Sequence, residues 1–169
     1  HYRIWDVIYP ACTTWEGIHY LSKKAVVHNW FMSFFCKKLK AIEVNRDGND
    51  VRAVMDSLKC LKNGEKISLF PEGTRNKTDA EMLPFKSGAA VMAIKAKVPV
   101  VPMMIYKKPK PFRLNHILMG EPFEFTEYYG RKMTDDLVKE ADEKLLNKLL
   151  DLRRGHEEFL AAKKRRKKS

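Results

Sequence analysis

Cysteine is scarce in this chain and is not spaced for cross-linking. Cys12, Cys36 and Cys60 are an odd three, and no two of them stand in a C-x-x-C pair. They read as reduced thiols of a cytosolic protein. Long apolar runs are also lacking: no stretch reaches the roughly 18 residues of a membrane span. No signal-peptide pattern and no internal repeat is visible. Negative charge is in short supply, with 21 Asp and Glu against 33 Lys and Arg and a net charge of +12. The run Lys163-Lys164-Arg165-Arg166-Lys167-Lys168 supplies six of those charges, which leaves +6 for the rest. The expected partners are anionic: nucleic acid, a phospholipid surface, or phosphorylated and CoA-like substrates.

What is present is enough for one folded domain. The chain has 169 residues, 44% of them apolar, a size at which a full core forms. It begins at His1 rather than Met and is read as a fragment whose N-terminal part is missing. The lack of a membrane span therefore says nothing about the parent protein.

The pattern alternates strand and helix. Residues 23–40 carry Val26, Val27, Trp30, Phe31, Phe34 and Phe35 at four-residue spacing, bracketed by lysines. Such a face suits a helix in a membrane interface or an ordinary core helix, and periodicity does not separate the two. Residues 41–45 read as a strand ending in a turn at Asp47-Gly48. Asn49 or Asp50 can cap the next helix, with Val51, Val54, Leu58 and Leu61 as its buried face and Asn63-Gly64 as its end. Residues 66–70 form the next strand. This β-α-β order favours a parallel pair. Residues 76–81 are polar and mobile in character. Pro84 to Gly88 introduces a helix of small residues: Ala89, Ala90, Ala93 and Ala96. Pro99 and Pro102 in the apolar run that follows argue for a strand with an irregular start. Residues 115–120 and 122–125 read as short strands. A last helix begins at Thr134-Asp135-Asp136, with Leu137, Val138, Ala141, Leu145, Leu149 and Leu152 as its stripe. Gly155 is placed to interrupt it, and the basic tail beyond Ala162 is read as disordered in isolation. The class is α/β with a mainly parallel central sheet flanked by helices. The domain is assigned to residues 1–152 and the basic C-terminal tail to 153–169.

Chemistry concentrates at Phe70-Pro71-Glu72-Gly73-Thr74-Arg75. Proline and glycine break the strand at its carboxyl end, where open α/β sheets bind ligands. The break carries a carboxylate and a guanidinium. An ordinary strand exit with a surface ion pair has the same composition. Lys86 and Ser87 would lie near a helix N-terminus, which favours anions, and Arg46 at a strand end is a further candidate anion ligand. His1 and Asp6 are five positions apart, about 140° around a helix. They meet only if His1 lies in the turn before the helix. A base with an orienting carboxylate, or a structural histidine, both fit that spacing.

Three features stand in order: H-x-x-x-x-D at 1–6, F-P-E-G-T-R at 70–75 and V-P-V-V-P at 98–102. Over roughly residues 1–152 the chain resembles the glycerophospholipid acyltransferase family, specifically bacterial 1-acyl-sn-glycerol-3-phosphate acyltransferases. Val44-Asn45-Arg46 resembles that family's second block, and Pro102 matches the proline of its fourth. The resemblance implies a glycerolipid acyltransferase fold whose N-terminal strand, usually found just before the histidine, is missing here. A chain beginning at His1 is therefore expected to fold poorly and to be inactive, with the parent protein active. The resemblance also implies transfer of a fatty acyl group from acyl-CoA or acyl carrier protein to the free hydroxyl of 1-acyl-glycerol 3-phosphate, with glycerol 3-phosphate or another lysophospholipid as alternative acceptors. His1 is then the general base and Asp6 its orienting group. Arg46, Glu72, Gly73, Thr74 and Arg75 belong to the acceptor-binding blocks, Arg75 being the main phosphate ligand. Lys86 is added from its charge and helix position.

A direct attack by the hydroxyl is expected, because the thioester is already activated and no G-x-S-x-G elbow is present. No metal and no cofactor is required beyond the acyl donor. The expected setting is the cytoplasmic face of a membrane, reached peripherally or through a missing N-terminal segment. A basic nucleic-acid-binding module is the competing class, but no motif for it is found. A scaffold without catalysis is disfavoured by the presence of both His1 and Asp6.

Overall fold

The computed structural model describes residues 17–23, 41–44, 51–74, 76–78, 80, 82–86, 88–107 and 115–166. The aromatic stripe of 23–40 beyond Lys23, the Asp47-Gly48 turn and the caps Asn49 and Asp50 lie outside the described residues.

Among the described residues, five strands and three α-helices follow in the order β1 (Ile18–Lys23), β2 (Ala41–Val44), α1 (Val51–Lys62), β3 (Lys66–Ser68), α2 (Ala89–Ala96), β4 (Met103–Ile105), β5 (Ile117–Met119) and α3 (Asp135–Arg166). Strands β2, β1 and β3 form a parallel sheet in that spatial order. The β2-α1-β3 unit thus places two parallel strands on either side of β1, not beside each other as its sequence order suggested. The physical reason is that β1 takes the middle slot, and a 12-residue helix is about 18 Å long, ample to cross one intervening strand. The sequence pattern assigned no strand to residues 18–23. Yet β1 is central, and Tyr20 on it is buried.

β4 and β5 are a separate antiparallel pair, with Met104 opposite Leu118. Val100 and Phe123 add an isolated bridge. β4 starts directly after Pro102, so the proline removes no ladder donor from the strand. Gly120 donates its N–H to the Pro102 carbonyl at 2.9 Å. A Cβ on Gly120 would stand 2.9 Å from Pro102 Cγ, so the close approach of these two segments requires glycine.

The ends of α1 and α3 follow from their caps. α1 stops at Gly64, whose φ of +78° only glycine adopts freely. Leu137 N–H bonds Thr134 Oγ1 at 3.3 Å, the expected cap of α3. α3 then runs through Gly155 and Ala162 to Arg166, where the sequence suggested an interruption and a disordered tail. Ala, Leu, Glu and Lys around the glycine are strong helix formers, and one glycine costs only about 1 kcal/mol.

The face of α1 is close to its expected direction, with Val54, Leu58 and Leu61 half-buried. Val51 is 68% exposed, whereas Ala53 and Ser57 are buried. Ser57 satisfies its hydroxyl by donating to the Ala53 carbonyl at 2.7 Å.

The main core joins Ala90, Ala93 and Ile94 of α2 to Phe125, Tyr128, Leu137, Ala141 and Leu145. A second cluster joins Met104, Leu118 and Leu149. Among the described residues no helix is long and apolar enough to cross a membrane.

Candidate active site

The described part of the Phe70–Arg75 motif, residues 70–74, leaves the carboxyl end of β3, as its sequence position implies. Gly73 N–H bonds the Phe70 carbonyl at 2.9 Å and closes a four-residue turn. Gly73 has a φ of +62°, a backbone state that side chains resist. A second constraint acts at the same position. A Cβ there would stand 2.7 Å from Cδ of Lys86. The aliphatic stem of Lys86 therefore lies over the turn and needs the missing side chain.

Two hydrogen bonds tie residues 82–86 to the motif. Lys86 N–H donates to the Pro71 carbonyl at 2.8 Å. Leu83 N–H donates to Glu72 Oε2 at 3.0 Å. Glu72 is only 8% exposed, so this carboxylate braces the loop from inside. Phe85 between them packs against both core clusters, which mounts the turn on the core. Thr74 is exposed, and so is Lys86. Lys86 precedes Gly88, the N-terminal cap position of α2, where peptide dipoles favour negative charge.

The segment between is organised by Asn76, which the sequence reading passed over as part of a mobile loop. Its side chain is buried. Nδ2 donates to the Ala80 carbonyl at 2.6 Å, and Oδ1 accepts from both N–H and Oγ1 of Thr78 at 2.9 Å. An Asx-type turn at Asn76 two residues before a threonine was the available signal.

The structure therefore brings together Glu72, Gly73, Thr74 and Lys86, which are 14 positions apart at most in the chain. His1, Asp6, Arg46 and Arg75 lie outside the described residues. Arg75 follows directly on Thr74 in the chain. The cavity of about 360 Å³ beside α3, lined by residues that include Tyr128, Glu140, Lys144 and Lys148, has no lining residue from the 70–86 loop.

What this arrangement offers is an exposed hydroxyl and an ammonium beside a rigid turn at a strand end, a setting for an anionic ligand. The sequence pattern of the Acyltransferase family matches residues 1–106, which takes in every motif above. The chain belongs to that family. It is similar to the 1-acyl-sn-glycerol-3-phosphate acyltransferase of Bacillus subtilis (strain 168), with 32% identity over 120 residues, covering 66% of this chain and 57% of that one. It is also similar to the enzyme of the same name from Cocos nucifera, with 28% identity over 130 residues, covering 74% of this chain and 41% of that one. Among solved structures it resembles the crystal structure of the 1-acyl-sn-glycerophosphate (LPA) acyltransferase PlsC from Thermotoga maritima. That match has a TM-score of 0.55 and 25% identity, and covers 86% of this chain and 57% of that one. The chain thus spans about half the length of the relatives it matches.

Proposed function

We infer that this chain is the acyl-transferring domain of a 1-acylglycerol-3-phosphate O-acyltransferase. It moves a fatty acyl group from acyl-CoA or acyl carrier protein to the free hydroxyl of lysophosphatidate, and phosphatidate for phospholipid synthesis is the product. The observation that carries this reading is the family match over residues 1–106, which includes H-x-x-x-x-D and F-P-E-G-T-R in their family order.

The roles follow from the chemistry of the step. An alcohol is a weak nucleophile until a base takes its proton. An imidazole with a pKa of about 6.5 suits that task at neutral pH. His1 is assigned as this base, and Asp6 fixes its tautomer. The oxygen attacks the thioester carbonyl, the carbon–sulfur bond breaks, and the proton held by His1 passes to the departing thiolate. Arg75 binds the acceptor phosphate through its planar pair of donors, with Arg46 and Lys86 adding charge. Glu72, Gly73 and Thr74 form the turn that immediately precedes Arg75 in the chain. The contact of Lys86 with Gly73 supports its place in this set. The excess of cations favours work on an anionic phospholipid surface, on the cytoplasmic face.

The test is a panel of acceptors offered to the full-length protein, with acyl-CoA and acyl carrier protein as donors. Lysophosphatidate is expected to be the best acceptor. A preference for glycerol 3-phosphate or for an uncharged glycerolipid overturns the assignment of acceptor. His1→Ala is expected to lower turnover by about 10²–10⁴-fold or more. Arg75→Ala is expected chiefly to raise KM for phosphorylated acceptors, and an equal loss with neutral analogues counts against it as the phosphate ligand.

A further inference from the structure

Three metal-ligand side chains meet at the amino ends of β1 and β3, at the other end of β3 from the Phe70–Arg75 turn. His19 comes from β1, Cys60 from the last turn of α1, and Glu65 from the residue before β3. One ligand atom of each lies within 4.8 Å of the other two. His19 Nε2 and Glu65 Oε1 are 3.3 Å apart. Their side chains are 13% and 37% exposed, so the cluster is reachable from solvent without lying open to it.

The backbone convenes these groups. Glu65 N–H bonds the Cys60 carbonyl at 3.0 Å, and Gly64 N–H bonds the Leu61 carbonyl at 3.1 Å. With Gly64 at a φ of +78°, this is a Schellman closure of α1. It makes Cys60 and Glu65 neighbours whatever their side chains do. The parallel ladder pairs His19 with Ile67 and Ile18 with Lys66, which sets His19 beside the start of β3.

We propose that His19, Cys60 and Glu65 bind a divalent cation of the zinc class, with water in the fourth position. Thiolate, imidazole and carboxylate together form a zinc donor set. Calcium and magnesium require oxygen and are disfavoured by the sulfur. Zinc bonds of about 2.0–2.1 Å in a tetrahedron put nitrogen and oxygen roughly 3.3–3.4 Å apart, and the His19–Glu65 separation is 3.3 Å. The sulfur must stand about 3.5 Å from each, and it now lies within 4.8 Å of both. Binding exchanges the thiol proton for the metal, so one proton is released and affinity falls in acid. Nothing is oxidised or reduced. The metal would join β1, α1 and β3, the frame from which the Phe70–Arg75 turn emerges. Its role is to fix that frame and not to touch substrate. The competing description is a plain His19–Glu65 ion pair with a thiol beside it.

The full chain, reduced and stripped with chelator, is titrated with Co²⁺ and then Zn²⁺. The expected result is sulfur-to-cobalt charge-transfer absorption with the strong visible bands of a four-coordinate site. One equivalent of Zn²⁺ displaces the cobalt with a Kd of about 10 µM or tighter, and it raises the melting temperature. Cys60→Ser abolishes the charge-transfer band and weakens zinc binding by roughly 100-fold or more, since losing even an outer partner costs about 10–100-fold. The double change Cys12→Ser with Cys36→Ser leaves both intact. Glu65→Gln, which keeps the thiol, weakens zinc by about 10-fold or more and tests the site if the Cys60 variant fails to fold. No sulfur band, a band that survives Cys60→Ser, or a band lost with Cys12 and Cys36 overturns the proposal. So does a melting temperature indifferent to zinc while Glu65→Gln still lowers it, which is the result for an ion pair alone.

Discussion

The parallel sheet β2-β1-β3 and the antiparallel pair β4-β5 are covered by helices of opposite character. α1, which touches β2, β3 and α2, fully buries only Ala53 and Ser57, both small, and leaves Val51 and Met55 more than half exposed. α3 meets β4 and β5, and also α2, through Leu137, Ala141, Leu145 and Leu149, all buried. Phe125 and Tyr128 fill the space between α2 and α3. The first arrangement buries little side-chain volume, and the second gains apolar area, the main source of stability. The motif loop spans the two. It emerges from the parallel sheet through β3 and is held to the larger core by Phe85 and by the Glu72–Leu83 bond. The frame from which the motif loop emerges can be light because the mass of the core stands behind that loop.

Removing the heavy half is expected to have the largest effect. Phe125 is 0% exposed, and Phe125→Ala should lower unfolding free energy by about 3–5 kcal/mol in urea melts. If the loss is instead below about 1 kcal/mol, the division between a heavy and a light half fails. At the junction, Gly73→Ala forces an alanine to a φ of +62° and against the Lys86 stem. The expected cost is about 1–2 kcal/mol, with KM for a phosphorylated acceptor raised more than turnover is lowered. A change of the same size at exposed Thr74 would show that the turn is not the constrained element.

Tyr128 probes the heavy half chemically. Burial, and then donation of its hydroxyl to Glu140 Oε1 at 3.1 Å, push its pKa up to about 12 from the ordinary 10.0. A raised folded-state pKa gives stability that is complete below the unfolded value of about 10 and is lost as pH rises toward about 12. Tyr128→Phe should therefore cost about 1 kcal/mol at neutral pH and flatten the alkaline fall in stability, followed by urea melts between about pH 9 and 12. An unchanged alkaline slope would assign that fall to other groups. The smallest effect has the opposite sign. Lys97 ends α2 with a φ of 55°, and Lys97→Gly should raise stability by about 0.5–1 kcal/mol. A loss there would mean that the Lys97 side chain, 5.9 Å from the Tyr129 ring centre, outweighs its backbone strain.

Much of this architecture was legible in advance for a local reason. Asn63-Gly64 ends α1, Thr134 starts α3, and Pro102 delays β4, because each acts through its own backbone or that of near neighbours. The apolar stripe of α3 was legible because four of its six residues are spaced to share one buried face. β1 was not legible. Ile-His-Tyr-Leu-Ser-Lys carries no alternation of apolar and polar residues, and parallel strands do not depend on one. On α1 the expected inward residues Val54, Leu58 and Leu61 are half-buried, while Val51 in the first turn is exposed and the small Ala53 and Ser57 are the most deeply buried.

The sequence by itself determined the order of the motifs, the breaks at Pro71 and Gly73, and the family to which the chain belongs. These depend on residue identity at short range. Only the tertiary structure decided that Lys86 lies over Gly73, that Glu72 turns inward to Leu83, that Asn76 organises its loop, and that His19 meets Cys60 and Glu65. Those contacts depend on strand register and on where a helix ends relative to a sheet. A shift of one residue in the ladder would send His19 to the other face, and nothing in the local sequence records which register was chosen.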